Sequence, residues 1–500
     1  MMTAVTILDE PRLEFGHGQS LTEPHDGLTA FGPWDDGHST QPKAINYAVV
    51  GTSEGLNRYL SFSKRLRGPI PSSSPKPHLW PMYPGFEAVF NSRWPESPGW
   101  SASIDADKLL SAASLADPNR RVFDVVDLYL NAMAPMAQRD EVFSLVVCVV
   151  PDYVYKNCRP QSVVRGATGD PITEVQLRER RAGQLDLFET WKAEVYDFSR
   201  DFRNQIKARA MQFGMPIQIV LESTLQVGAP ESRREALLTP LADRAWNLST
   251  TAYYKAGGKP WRLTVARKGV CYVGLAYRLR DAQPGSRSAC CAAQMFLDSG
   301  DGIVFLGETG AWYSPERRQF HLDPGAANRL LQGLLQTYER QHGQPLTEIF
   351  LHSNSGIDET EFAGFLAACP PGVKLVGVRV RRDYGGALKL YRPGAWPVVR
   401  GTVWQLTDRT GYLWGSGFSA RLRTYPGAET PVPLRIEIQR GEADFSQVAA
   451  DIFSLTKLNY NACKLGDGEP VTIGFSKEVG EILVTNPTIR EARPQFRFYI

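Results

Sequence analysis

The 500-residue sequence has almost no net charge, few cysteines and no long apolar run. Its net charge of +3 comes from 56 Lys and Arg against 53 Asp and Glu, so any nucleic-acid surface must arise from local clustering of cations. The seven cysteines lack metal-type spacing, which favours reduced thiols and a cytoplasmic protein. No run approaches the roughly 18 to 20 apolar residues that span a bilayer. The start, MMTAVTILDEPRLEFG, does not fit a signal peptide.

The apolar pattern predicts alternating strands and helices, and the length suggests two to four domains. In a first unit we predict strands in 141–152 and 215–223, a polar helix from about 173 to 212, and a helix ending at Lys255. In a second unit we predict strands in 269–280 and 288–298, then helix 326–341, strand 347–353, helix 359–369 and strand 373–380. This order favours an α/β fold with helices on the faces of a sheet.

The helix that ends at Lys255 has apolar residues every three to four positions. Gly257 and Gly258 are expected to stop it with positive φ, and Pro260 prevents its continuation. Lys255 has two interpretations at this stage. It is either a cation that interacts with the helix dipole or a member of a binding site.

Two cations, Arg203 and Lys207, are four residues apart, so on a helix their charges would lie close together and repel. Such a pair indicates either a solvated basic face or a bound anion. Gln218 follows eleven residues after Lys207, where a strand could bring its amide beside the same helix end.

Together these residues resemble the 5′-phosphate pocket in the MID domain of Argonaute proteins. By that resemblance Arg203, Lys207, Gln218 and Lys255 would hold the terminal phosphate of a guide strand. Pockets of the family more often begin with Tyr or His, so Arg203 is a variant. The carboxylate of Ile500 would reach the same pocket, with a Mg²⁺ ion at the guide 5′ end.

Further segments carry the resemblance along the chain. The sequence from 455 to 483 is similar to the end of a PIWI domain, and HGQSLTEPHDGLTAFGP and YPGFEAVF are similar to N-terminal segments of short prokaryotic Argonautes. The resemblance implies a Rossmann-like MID domain followed by an RNase H-like PIWI domain, with an N-terminal arm. We expect an arm and the N-terminal part of the MID lobe in 1–140, the MID core in 141–262 and PIWI in 263–500.

Cleaving members of the family carry four acidic or histidine side chains that bind two metal ions. The matching positions here are Ala276, Asn354 and, after what we expect to be a Pro-Val-Thr strand, Lys477. Alanine and lysine cannot be anionic ligands, and asparagine offers only a carbonyl oxygen. The resemblance therefore implies an inactive PIWI domain and no catalytic residue in this chain.

Two other motifs have simpler interpretations. The DSGDG segment, 298–302, lacks the remaining ligands of a calcium loop and is expected to be a turn. Cys158 lies between cations, but no His or second Cys accompanies it nearby, so a structural role is favoured over a reactive one.

The resemblance also implies partners. The chain is too short for the N and PAZ domains of long Argonautes, which in short members are replaced by a separate APAZ protein fused to an effector. We expect a guide RNA, a complementary single-stranded DNA target and an APAZ partner with a TIR-type NAD hydrolase; sirtuin-like and nuclease effectors are alternatives. A sensor in prokaryotic defence is favoured over an Argonaute that cleaves its own target by an unrecognised catalytic set.

Overall fold

The computed structural model describes residues 4–182, 193–230, 232–264, 267–279, 288–296, 302–314, 319–341, 345–383, 388–484, 486 and 493–500. The strands in this part are β1 (Ala4–Ile7), β2 (Leu13–Glu14), β3 (Ser20–Leu21), β4 (Tyr47–Thr52), β5 (Trp100–Ile104), β6 (Leu145–Val150), β7 (Ile217–Leu221), β8 (Arg262–Leu263), β9 (Val270–Leu279), β10 (Ser288–Phe296), β11 (Gly302–Ser314), β12 (Gln319–Leu322), β13 (Glu348–Ser353), β14 (Lys374–Arg382), β15 (Thr402–Gln405), β16 (Thr410–Leu413) and β17 (Leu434–Arg440).

The α-helices in the same part of the chain are α1 (Pro24–Phe31), α2 (Ser53–Leu66), α3 (Phe86–Phe90), α4 (Ala106–Ala113), α5 (Pro118–Ala137), α6 (Asp152–Asn157), α7 (Glu174–Arg181), α8 (Phe202–Ala210), α9 (Leu241–Lys255), α10 (Pro324–Gln341), α11 (Glu359–Ala368), α12 (Phe445–Leu455) and α13 (Val471–Val484).

The first sheet is parallel, with strand order β5-β4-β6-β7. Every residue of β4 and β6 is buried, as expected for parallel strands covered on both faces. Val49 and Val147 share a core with residues of α2 and α9, whereas Val50 and Val146 share one with residues of α5 and α8. The strands predicted in 141–152 and 215–223 are confirmed. β4 and β5 precede residue 140, whereas β6 and β7 follow it. The boundary expected between the N-terminal part of the MID lobe and the MID core therefore divides the strands of one sheet.

The second sheet has ten strands in the order β1-β15-β16-β17-β14-β13-β9-β10-β11-β12. Its centre consists of three antiparallel strands, β11, β10 and β9, followed by β13 and β14, which run parallel to β9. This is the arrangement expected of an RNase H-like fold. Apolar residues of α10 and α11 pack on one face, and those of α12 pack on the other. The elements predicted between 269 and 380 and the mixed α/β class are confirmed.

The N-terminal segment contacts several parts of the molecule. β1 pairs with β15 at the edge of the ten-stranded sheet, whereas β2 pairs with β3 and with β8, which follows α9. Between them, the Glu10 carboxylate accepts hydrogen bonds from Arg400 Nε at 3.0 Å and from Lys457 Nζ at 2.9 Å. Lys457 is only 2% exposed, so a buried ion pair attaches the N-terminal segment to the second unit.

Two predicted elements are wrong. The polar stretch from 173 to 212 is not one helix, because α8 begins anew at Phe202, where the Asp201 side chain accepts a hydrogen bond from the Asn204 amide. The segment predicted as a Pro-Val-Thr strand is the first turn of α13, in which the amides of Ile473 and Gly474 donate to the Pro470 carbonyl.

Helix α9 ends at Lys255 as predicted, but only one of the two glycines stops it by its dihedral angle. Gly257 has a φ of 101°, whereas Gly258 is not among the residues with positive φ. Gly258 is instead required by close packing, since a Cβ there would lie 2.3 Å from the Tyr253 ring. The DSGDG segment lies outside the described residues except for Gly302. No described helix is long and apolar enough to cross a membrane.

Candidate functional site

Lys255 is buried at the end of α9, with 1% of its surface exposed. Its Nζ donates to the carbonyl oxygen of Ile217 and to Oε1 of Gln218, each at 2.7 Å. The helix end and the start of β7 are therefore joined by this one ammonium group. A cation buried in this way is not a solvated residue that merely interacts with the helix dipole.

Lys207 approaches the same region from α8. It is 4% exposed, and its Nζ donates to the carbonyl oxygen of Tyr499 at 2.8 Å. Tyr499 and Ile500 are themselves buried, so the end of the chain is folded against α8 of the first unit. This contact spans almost three hundred residues of sequence.

Arg203 lies one helical turn before Lys207 and is partly exposed. Its guanidinium donates to Oε2 of Glu478 on α13 at 2.7 Å. This ion pair thus connects α8 of the first unit with α13 of the second unit. We call the five residues that the resemblance assigned to a phosphate site the cation pocket: Arg203, Lys207, Gln218, Lys255 and Ile500.

Burial and repulsion by neighbouring cations lower the pKa of both lysines. Burial lowers the pKa of Lys255 to about 7, and repulsion by Arg203 adds to this effect. Burial, followed by repulsion from Arg203 and Lys255, holds the pKa of Lys207 well below its usual value. Glu478 opposes the shift at both lysines, but it does not offset it. A dianion bound among these groups would relieve the repulsion and restore the protonated lysines.

A second location of interest lies at the carboxyl ends of β9 and β13. Ser353, the last residue of β13, pairs with Leu275 of the parallel strand β9; Asn354 follows it just beyond β13, and Ala276 follows Leu275 within β9. Helix α13 passes beside them, because a Cβ on Gly274 would lie 2.0 Å from the Thr472 carbonyl oxygen.

Solved structures of Argonaute proteins match this architecture over nearly the whole chain. Clostridium butyricum Argonaute, bound to a guide DNA and a 19-mer target DNA, matches with a TM-score of 0.61 and 14% identity over 97% of this chain. Aa-Ago with externally bound siRNA and A. aeolicus Argonaute each match with a TM-score of 0.55, at 13% and 12% identity, over 98% of this chain. The fold is that of Argonaute proteins.

The likeness is one of fold, because the identities are low. The chain spans about half of the length of these Argonautes, 53% of the first and 54% of the other two. No family model and no curated protein matches the sequence. The functional assignment therefore depends on the residues of the site.

Ala276, Asn354 and Lys477 are the positions that the sequence resemblance matched to catalytic residues of cleaving Argonautes. Ala276 is buried in β9, Asn354 is exposed after β13, and Lys477 lies on α13, where its Nζ is 2.9 Å from Oε1 of Glu469. Within the part of the chain that the structure describes, no group of three or more His, Cys, Asp or Glu side chains is placed to hold a metal ion.

The cation pocket offers few ligands to the Mg²⁺ ion expected at the guide 5′ end of an Argonaute. Beside the cations, the amide oxygen of Gln218 accepts from Lys255 and the carboxylate of Glu478 accepts from Arg203, and the buried chain end at Ile500 adds a terminal carboxylate next in sequence to Tyr499. Mg²⁺ takes six oxygen ligands and keeps several waters, so phosphate oxygens and water would have to complete its shell. The residues fit the ion only together with the phosphate.

Sequence reasoning missed Arg497, which adds a further cation beside the pocket. Its Nη1 lies 3.5 Å from the Lys255 carbonyl oxygen, and its buried Nε has no hydrogen-bond partner among the described residues. Burial lowers the pKa of its guanidinium. Nothing in the local sequence FRFYI indicates this position, because the contact forms only when the end of the chain reaches α9.

Cys158 is a buried, unpaired cysteine. Burial raises the pKa of its thiol to about 12, so the reactive thiolate is scarce at neutral pH. This environment supports the structural interpretation made from the sequence.

Proposed function

We propose that this chain is the guide-binding subunit of a nucleic-acid-guided sensor. It holds the 5′-phosphate of a guide RNA in the cation pocket, pairs the guide with complementary single-stranded DNA, and passes the signal to a partner protein in the cytoplasm. The convergence of buried Lys207 and Lys255 with Arg203 beside the end of the chain carries this proposal, because burial and repulsion lower the pKa of both lysines and a bound anion would oppose that shift.

The chemistry of a terminal phosphate suits the pocket. A phosphomonoester has a charge near −2 and three acceptor oxygens, and the pocket presents ammonium and guanidinium donors from α8 and α9. Gln218 positions Lys255 through the 2.7 Å hydrogen bond to its side chain. A Mg²⁺ ion between the phosphate and the Ile500 carboxylate would supply further positive charge.

We further propose that the PIWI unit does not cleave its target. Ala276, Asn354 and Lys477 provide no carboxylate at three of the positions where cleaving Argonautes bind metal, and a two-metal mechanism needs such ligands. Output would then come from an associated APAZ protein with a TIR-type NAD hydrolase, in prokaryotic defence by abortive infection. A sirtuin-like or nuclease effector is the alternative, and target cleavage by this chain is the less favoured second function.

The test replaces both pocket lysines by methionine, which keeps the aliphatic chain and removes the charge. Charge-assisted hydrogen bonds contribute about 1.5 to 3 kcal/mol each, so Lys207→Met/Lys255→Met should weaken a 5′-phosphorylated guide by roughly two to four decades. A 5′-hydroxyl guide of the same sequence should lose much less. Fluorescence anisotropy with labelled 18- to 22-mers, lengths of about two turns of duplex, measures both affinities.

The matched control is Lys457→Met. Lys457 is also a buried lysine with a lowered pKa, about 8, but it pairs with Glu10 outside the pocket. It should leave the preference for a 5′-phosphate unchanged. Equal weakening of both guides by the pocket variant would remove the assignment of the pocket.

A further inference from the structure

Two neighbouring segments of the second unit are rich in aromatic and basic residues. Residues 388–400 precede β15, and residues 415–425 follow β16. Together they contain no Asp or Glu, but five cations: Lys389, Arg392, Arg400, Arg421 and Arg423. Val399 and Phe418 form a parallel bridge, so the two segments lie side by side. In a chain with a net charge of +3, this is a local concentration of positive charge.

The five cations differ in whether a carboxylate neutralises them. Arg400 and Arg421 each pair with a carboxylate of the N-terminal segment. Lys389, Arg392 and Arg423 are exposed and form no ion pair with a described residue. The two segments therefore present three uncompensated positive charges to solvent.

An aromatic contact joins the two segments. The rings of Trp396 and Phe418 are stacked, with centroids 5.7 Å apart and an interplanar angle of 28°. The guanidinium of Arg392 lies over the Phe418 ring, with Cζ 4.7 Å from the centroid, and its Nε donates to the Trp396 carbonyl oxygen at 3.4 Å. We call Arg392, Trp396 and Phe418 the aromatic patch. Trp396 is 40% exposed, so part of its indole is open to solvent beside a guanidinium.

We infer that the aromatic patch binds single-stranded nucleic acid, with an unpaired base stacked on Trp396 and a phosphate near Arg392. Every base has a π-face, so stacking on an aromatic side chain requires no particular base sequence. Cations beside the ring neutralise the backbone of the same strand. The aromatic patch belongs to the second unit, whereas α8, β7 and α9 of the cation pocket belong to the first. It is therefore a second nucleic-acid site.

The composition favours a nucleic acid over a protein as the ligand. Protein interfaces also use Trp, Tyr and Arg, but they are depleted of Lys, which is present here as Lys389. Three exposed cations lack a carboxylate partner among the described residues, and a phosphodiester strand supplies one negative charge per nucleotide. A protein partner at the aromatic patch is an outcome that the experiment distinguishes.

The test uses oligonucleotides without a 5′-phosphate, so that binding does not depend on the cation pocket. Fluorescence anisotropy measures the affinity of a labelled oligothymidine of about 12 nucleotides, a length that single-stranded sites cover, and of an abasic strand with the same number of phosphates. Trp396→Leu removes the ring, Trp396→Phe keeps a smaller ring, and Arg392→Gln removes the charge.

The matched control is Trp404→Leu. Trp404 is a partly buried residue of β15 in the same sheet, and its ring centroid is 6.1 Å from that of Tyr412. Neither ring has a cation over it in the described part of the chain. The control therefore removes an aromatic contact of the same sheet without changing the aromatic patch.

The original protein should bind oligothymidine more tightly than the abasic strand, because only oligothymidine has bases to stack. Trp396→Leu should weaken oligothymidine roughly 5- to 150-fold, as expected for one stacked base, and leave the abasic strand unchanged. Trp396→Phe should retain most of the affinity. Arg392→Gln should weaken both strands and reduce the slope of log affinity against log salt by about 0.7. Trp404→Leu should match the original protein.

The unpaired nucleotides could belong to the guide or to the target, and this assignment rests on the proposed function. The chain is loaded with a 5′-phosphorylated guide, and either the guide or the target is extended by roughly six unpaired nucleotides. The strand that uses the aromatic patch is the one whose extension raises affinity in the original protein but not in Trp396→Leu. No gain from either extension would contradict the inference.

Equal affinities of the original protein for oligothymidine and the abasic strand would overturn the inference. An equal loss of both strands in Trp396→Leu would also overturn it, as would loss of partner co-purification with unchanged oligothymidine affinity. The proposed function is tested separately, because Lys207→Met/Lys255→Met should bind the 5′-hydroxyl oligothymidine like the original protein. Loss of that binding in the pocket variant would contradict a second site.

Discussion

Guide binding should consume protons, because the pocket lysines are partly neutral before the phosphate arrives. With a pKa of about 7, Lys255 holds about one-tenth of a proton at pH 8 in the free protein and nearly a whole one beside a phosphate dianion. Binding at pH 8 should therefore take up about 0.9 proton at Lys255 and more at Lys207, whose pKa is also lowered. The phosphate is already a dianion at this pH and releases none.

Isothermal titration calorimetry measures this uptake directly. The guide is titrated at pH 8 in two buffers with different ionisation enthalpies, and the difference in apparent binding enthalpy gives the number of protons. Between pH 7 and 9 the affinity should fall by up to about tenfold per pH unit for each proton taken up. The 5′-hydroxyl guide should show little uptake. Zero uptake with the phosphorylated guide, or equal uptake with both guides, would refute the reasoning.

Three further predictions concern the stability of the folded chain, target cleavage and the partner protein. Folding lowers the pKa of Lys255 from about 10.4 to about 7, so the unfolded chain binds more protons than the folded chain between these pH values. Without guide, the melting temperature should therefore rise from pH 7 to 10 relative to that of Lys255→Met, which thermal melts measure. With guide, target and Mg²⁺ or Mn²⁺, gels should show an intact target strand. The same is expected for Ala276→Asp, because one carboxylate does not assemble a two-metal site. A metal-dependent cut at a fixed position would contradict this prediction. Co-purified with an APAZ protein, the chain should raise NAD⁺ consumption only when guide and complementary DNA are both present; degraded DNA with constant NAD⁺ would point to a nuclease effector.

Local signals in the sequence predicted those parts of the fold that depend on neighbouring residues. The spacing of apolar residues in α9 and the glycine that follows located its end at Lys255, and the buried run of β6 was evident from its β-branched residues. The start of α8 also had a signal, Asp201 as a capping residue, which the prediction of one long helix overlooked.

Contacts between distant segments could not be predicted in this way. The carbonyl of Tyr499 that accepts from Lys207 and the approach of Arg497 to α9 depend on how the second unit packs on the first. Similarly, the β-branched start of α13 resembles a strand, but packing of Thr472 against Gly274 places it as a helix across β9. Tertiary packing overrides local preference at both places.

Phosphorus NMR of a bound 5′-phosphorylated guide tests the central claim most directly, because the terminal phosphomonoester is distinguishable from the phosphodiesters. A free phosphomonoester takes up its second proton near pH 6. Held by Arg203, Lys207 and Lys255, the phosphate should remain a dianion at least one pH unit lower, and Lys207→Met/Lys255→Met should remove the shift. A terminal phosphate that titrates like that of free guide while the guide is fully bound would contradict the account.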